Sequence, residues 1–149
     1  MCIRDSTEPV DIYRALIESL CLGMRLVFDL YDKGGFNVHR VVMTSGLAQR
    51  NPLVVQIMAD VLGREIEVPD MTNPTARGAA IHGAVAAGVV ADFAAGSEKF
   101  GAGSSRIYYP DMSAYAIYSE LFKQYEALST DPAIVAAMKV LSDSKDSLR

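Results

Sequence analysis

The segment VVMTSGLAQRNPLVVQIMADVLG, residues 41–63, constrains this chain more than any other. An apolar run stops at Thr44-Ser45-Gly46. It restarts after Arg50-Asn51-Pro52, with Leu53, Val54, Ile57, Met58, Val61 and Leu62 at helical spacing. Asn51 and Pro52 suit the cap and first turn of that helix, and Gly63 suits its end. A strand therefore runs into a helix through a corner of small residues. Such a corner leaves backbone N–H groups uncovered and removes the side chain that would block a flat ring or a phosphate. The same residue types also serve plain chain reversal. A Rossmann site is excluded, because SGLAQR lacks the G-x-G-x-x-G spacing and no suitable acid follows a second parallel strand.

The flanking segments predict the rest of the order. From Asp11 to Asp32, Ile12, Ala15, Leu16, Leu20, Gly23, Leu26, Val27 and Leu30 recur at three- and four-residue intervals, predicting a helix with these as its buried stripe. Thr7 is its expected cap, Pro9 lies in its first turn, and Lys33-Gly34-Gly35 ends it. Val38–Met43 is expected as a strand that starts at the surface and becomes buried, and REIEVPD, residues 64–70, as a half-exposed strand ended by Pro69. The Ala, Gly and Val of residues 73–93 predict a thin helix able to lie close to other backbone. Residues 94–111 read as a glycine- and serine-rich connection. An amphipathic helix follows, with Tyr115, Tyr118, Leu121, Phe122, Tyr125 and Leu128 inward or half inward, and a last helix opens at Asp131-Pro132 and frays into polar residues. The fold class is thus α/β, helix-rich with few strands. Two short strands cannot support so many helices, which makes the chain read as part of a larger fold.

Composition removes whole classes of function. A chain of 149 residues, half of them hydrophobic, is long enough for one domain with a core. A net charge of −4 with no Lys/Arg cluster argues against nucleic acid as a partner. No apolar run is long enough to cross a bilayer, and the expected location is cytoplasmic. Cys2 and Cys21 lack any metal-ligand spacing and read as free thiols, Cys21 as a small buried helix residue. His39 and His82 have no ligand types beside them and read as surface or helix-packing residues. Glu65, Glu67 and Asp70 read as the solvent face of a strand and its exit turn, and Asp60 stays open between a surface and a functional position. P-loop and G-x-S-x-G motifs are absent from the sequence. No residue is assigned as catalytic or as a metal ligand.

The blocks IYRALIESL, VHRVVMTSGLAQRNPLVVQIMADVLGREIEV, ARGAAIHGAVAAG and YYPDMSAYAIYSELFKQYEAL, in that order, resemble the C-terminal domain of the FGGY carbohydrate kinases, and among these most closely the ribulokinases. The resemblance covers residues 7–149 and implies part of an actin-like ATPase, or ribonuclease H-like, domain truncated at its N-terminal side. It implies ATP and Mg2+ as cofactors, the metal ligands lying outside this chain. TSGLAQRN resembles the family's adenosine motif, so Thr44, Ser45, Gly46, Arg50 and Asn51 are the implied ATP-binding residues. Ser45 stands where the family has the first of two glycines. The planar guanidinium of Arg50 is suited to stacking on the base. ARGAA resembles the small-residue helix start behind the nucleotide pocket, with Gly78 and Ala79 supporting it.

The implied reaction is phosphoryl transfer from MgATP to the terminal hydroxyl of ribulose, an aspartate acting as base. That aspartate and the sugar-binding residues precede the matched segment in the family, so the chain alone is expected to be inactive. The sugar would reach it through the missing N-terminal domain, and a homo-oligomer of the full enzyme stays open. Xylulokinase and glycerol kinase remain alternatives within the family, and a non-catalytic actin-like interaction module remains one outside it. Residues 1–6, MCIRDS, show no periodicity and read as a non-native or disordered leader.

Overall fold

The computed structural model describes residues 6–101 and 103–146. In chain order these form α1 (Pro9–Lys33), α2 (Gly46–Arg50), α3 (Pro52–Leu62), β1 (Ile66–Pro69), α4 (Pro74–Ala86), α5 (Phe93–Phe100), β2 (Ser105–Tyr108), α6 (Met112–Thr130) and α7 (Pro132–Asp146). Of the expected leader only Ser6 is described, and Cys2 lies outside the described residues.

The centre is α3, packed against α1, α6 and β1. Val54, Val55, Ile57, Met58, Ala59, Val61 and Leu62 are all buried, so α3 is enclosed on every side rather than along one stripe; only the expected Leu53 stays exposed. Its start and stop are as expected. Asn51 Oδ1 accepts from the Val54 N–H at 3.4 Å, and Gly63 closes the helix at φ 62°. A Cβ on Gly63 would also stand 2.6 Å from Tyr115 Cε2, so both backbone conformation and space demand glycine there.

Two expectations about α1 are corrected. Its cap position is Glu8 rather than Thr7, with Asp11 accepting from the Glu8 N–H at 2.9 Å. Its buried residues are Ile17, Cys21 and Leu22, whereas Leu16, Leu20 and Leu30 of the expected stripe are 65%, 54% and 68% exposed. The helix carries two apolar sectors, and periodicity alone does not say which one meets α3. Arg25 fixes the choice physically: its Nη1 donates to Val61 O at 3.0 Å and to Ser119 Oγ at 3.2 Å, and its guanidinium lies over the rings of Phe122 and Tyr115. On α6, Tyr118 and Phe122 are buried as expected, while Leu121 and Leu128 are exposed.

The sheet also differs from expectation. Only residues 41–43 of the expected first strand pair, and they do so parallel to β1: the Met43 N–H donates to Glu67 O and the Glu67 N–H to Val41 O, both at 2.9 Å. The Val38 carbonyl instead accepts from Arg64 Nη1 at 2.7 Å, so a side chain takes the place of a ladder. On its other edge β1 pairs antiparallel with β2, Ile66 opposite Tyr108 and Val68 opposite Arg106. The supposed connection 94–111 therefore holds β2 and most of α5. Asp92 caps α5, accepting from the Ala95 N–H at 2.8 Å, and α4 ends at Ala86 rather than running on toward residue 93. At the C-terminal side α7 continues to Asp146, through the polar stretch expected to fray.

Cys21 is fully buried, and burial pushes its thiol up from 9.0 to about 11. The folded chain therefore favours the protonated thiol, a contribution complete below pH 9 and lost as the pH climbs toward about 11. In a Cys2→Ala background, an aromatic disulfide reagent at pH 8 should find no reactive thiol until denaturant is added. Immediate titration of one thiol in the native chain would contradict the packing of α1 on α3. Gly63→Ala should lower stability by roughly 1 kcal/mol or more, since alanine is strained at positive φ and its methyl meets Tyr115. Thermal unfolding reads this directly, and an unchanged midpoint would refute the left-handed cap.

Candidate functional site

The N-terminal end of α3 positions the corner singled out in the sequence. Ser45 is extended and caps α2, its Oγ accepting from the Ala48 N–H at 3.2 Å. This accounts for a hydroxyl beside the corner: it is turned onto the first turn of its own helix. Ala48 is buried and anchors α2 to the core, which leaves Thr44, Gly46 and Arg50 at the surface. A Cβ built on Gly46 would meet no atom within 4 Å, so glycine there is not demanded by the packing of this chain.

Opposite this corner lies the start of α4. Asn73 precedes it with φ 50°, the one non-glycine residue at positive φ among the described residues, and Pro74 opens the helix. Asparagine is among the few residues that adopt this conformation without large strain. Between the two walls is a cavity of about 900 Å³ lined by Thr44, Ser45, Gly46, Gln49, Arg50 and, across from them, Thr72 to Ala76 with Ala79. Its size is that of a small-molecule site, roughly 300–1,000 Å³.

Of the residues singled out in the sequence, Thr44, Ser45, Gly46, Arg50 and Ala79 come together here. Two do not line it. Gly78 is half-buried one residue back along α4. Asn51 caps α3, and its Nδ2 donates to Tyr13 Oη at 3.0 Å, so its side chain is committed to the fold. Sequence reasoning missed Gln49, Thr72, Asn73 and Thr75 as lining residues. The Asn73-Pro74 pair was the available signal, because a turn before a helix places side chains on its mouth.

The remaining polar candidates are structural. Glu67 Oε1 accepts from Ser105 Oγ at 2.6 Å and Oε2 from Arg40 Nε at 2.7 Å. The Ser105 hydroxyl, followed by Arg40, holds this carboxyl below the usual carboxylate range, which makes it a poor proton acceptor. Asp60, left open in the sequence, is buried. Its Oδ1 accepts from Gln56 Nε2 and from the Asp111 N–H, each at 2.8 Å, and so ties α3 to the start of α6. His39 is exposed, and His82 packs on Phe93 with ring centroids 4.7 Å apart. Among the described residues no three His, Cys, Asp or Glu side chains gather as a metal site.

Residues 2–87 match the model of the FGGY family of carbohydrate kinases, C-terminal domain. A ribulokinase from Halalkalibacterium halodurans is 36% identical over 82% of this chain, and the chain spans 22% of that protein's length. The fold is similar to the crystal structure of a xylulose kinase from Rhodospirillum rubrum, with TM-score 0.68 and 26% identity over 86% of this chain and 26% of that one. It is also similar to a Plasmodium falciparum glycerol kinase crystallised with ADP, with TM-score 0.64 and 20% identity over 85% of this chain and 26% of that one. The helix-rich α/β arrangement with its small sheet is thus part of the actin-like ATPase fold expected from the sequence. The chain belongs to the FGGY family of carbohydrate kinases, through the C-terminal domain that its residues 2–87 match.

Proposed function

We propose that the cleft between α2 and α4 receives the adenosine of ATP in a carbohydrate kinase of the ribulokinase type. The observation that carries this reading is the convergence of Thr44, Ser45, Gly46, Arg50 and Ala79, separated by up to 35 positions in sequence, on one cavity of about 900 Å³ in a chain of this family. The fit is physical. Gly46 leaves a face open to a flat ring, and Arg50, which makes no ion pair among the described residues, carries a planar cation suited to stacking on a base. Asn51 contributes by capping α3 and so fixing where α2 ends; Gly78 supports the α4 wall.

In this reading residues 7–149 belong to the C-terminal kinase domain, with further polypeptide of the domain lying outside this chain. The chain holds and orients nucleotide. The base that accepts the proton of the ribulose terminal hydroxyl, and the residues that select the sugar, belong to other polypeptide. Mg2+ fits no side-chain cluster among the described residues and is assigned no ligand here. The working enzyme would be cytoplasmic, serve arabinose catabolism and act as a homo-oligomer. A second reading, xylulose or glycerol as acceptor, draws support from the likeness to solved kinases of those names.

Titration of the 149-residue chain with a fluorescent ATP analogue should show saturable binding. Gly46→Val should weaken that binding tenfold or more, about 1.4 kcal/mol, with an unchanged circular dichroism spectrum. Equal affinity in both chains would refute the placement of the ring at Gly46. The same chain, supplied with ribulose and MgATP, should release no ribulose-dependent ADP. Turnover above the buffer rate would overturn the assignment of the base to other polypeptide.

A further inference from the structure

Gln49 lies on α2, inside the corner, and its side chain crosses to the opposite wall of the cleft. Its Nε2 donates to Pro69 O at 3.2 Å and also to Met71 O. Those two carbonyls bracket the exit of β1, where the chain turns through Thr72 and the left-handed Asn73 into α4. A glutamine amide has two N–H hydrogens on one nitrogen, and here it faces two acceptors two residues apart. Without such a brace, α4 has little to hold it against α2: its residues include none that is buried, and it packs chiefly on α5. Gln49 also lines both the 900 Å³ cleft and a neighbouring hollow of about 410 Å³ formed with Asp70, Ser104 and Arg106, so it stands as the partition between them.

From this geometry we infer that Gln49 is a positioning residue, a two-pronged brace that sets the distance between the α2 and α4 walls and with it the fit of the adenosine end of the ligand. The inference rests on the nucleotide reading of the cleft. It requires a donor at this position rather than bulk alone. Glutamate has the same shape but, when ionised, offers two acceptor oxygens to two carbonyls and forces the walls apart.

The test measures binding of adenosine and of an ATP analogue to the 149-residue chain and to its Gln49→Glu and Gln49→Ala variants, together with thermal midpoints. Both variants should lose about tenfold in affinity for each ligand, Gln49→Glu at least as much as Gln49→Ala, while the midpoints stay within a degree or two. Undiminished binding in Gln49→Glu would overturn the brace while leaving the nucleotide cleft intact. A loss confined to the ATP analogue would show a direct phosphate contact instead of positioning. A midpoint that falls in step with affinity would make Gln49 a general support of the fold. No binding by the unaltered chain would sink the nucleotide reading and the brace with it.

Discussion

Enclosure of α3 beyond its first two residues is the constraint on which the remaining structure rests. A helix buried on all sides must receive apolar partners on all sides, and α1, α6 and β1 supply them. Enclosure also means that every polar group on α3 needs a partner within the fold, since water cannot reach it. Asp60 meets this need with Gln56 and the Asp111 N–H, and the Val61 carbonyl, one of those the end of the helix leaves without an i+4 partner, with Arg25. The Asp60–Asp111 and Val61–Arg25 contacts reach other elements, so satisfying the polar groups of α3 also sets where α1 and α6 lie.

The candidate site inherits its precision from this arrangement. Only Asn51 separates α2 from α3, and Ala48 is buried beside the core, so the small corner at Ser45-Gly46 has little freedom to move relative to α3. Rigid placement matters because a planar ligand gains little from a surface that must reorganise to meet it. The facing wall is different in kind. Arg77 of α4 donates to the Phe100 and Gly101 carbonyls at the end of α5, at 3.2 and 3.1 Å, and a Cβ on Gly96 would stand 2.7 Å from Ile81. The pair α4–α5 is thus coherent within itself while its attachment to the core is slender.

Much of this was legible in the sequence where a local rule decides. Asn51-Pro52 and Gly63 bound α3, Gly34-Gly35 follow α1, Asp131-Pro132 open α7, and Cys21 is buried. What was not legible depended on long-range choice. Leu16, Leu20 and Leu30 have the spacing of a core stripe, yet the other face of α1 won because Arg25 had carbonyl, hydroxyl and ring partners waiting on α3 and α6. Helix α5 was hidden by Gly96 and the glycines after it, although Asp92 carried a cap signal. Strand β2 has its partner some forty residues away in β1, a pairing that composition cannot announce. At the site, the corner itself was visible, whereas Gln49 and Asn73 were not, because their role arises only when β1 delivers the chain opposite α2.

The exposed stripe of α1 bears on how such a chain is read at all. That exposed apolar face is continued by Tyr13, Met24, Val27 and Tyr31, and contiguous patches of this kind are uncommon on isolated domains. Sequence periodicity reports that a face wants burial, and it reports the same thing whether the partner is the rest of this chain or something beyond it. The stripe with the sequence signal of a core face is therefore the one α1 leaves exposed. Polar residues within the packed sector, Arg14 and Glu18 gathered by Tyr118 and Arg25 gathered by Val61, mark the side that turns inward here. Inward-facing polar side chains with defined partners are thus a better guide to helix orientation in this fold than the apolar stripe, because a hydrogen bond has direction and the hydrophobic effect does not.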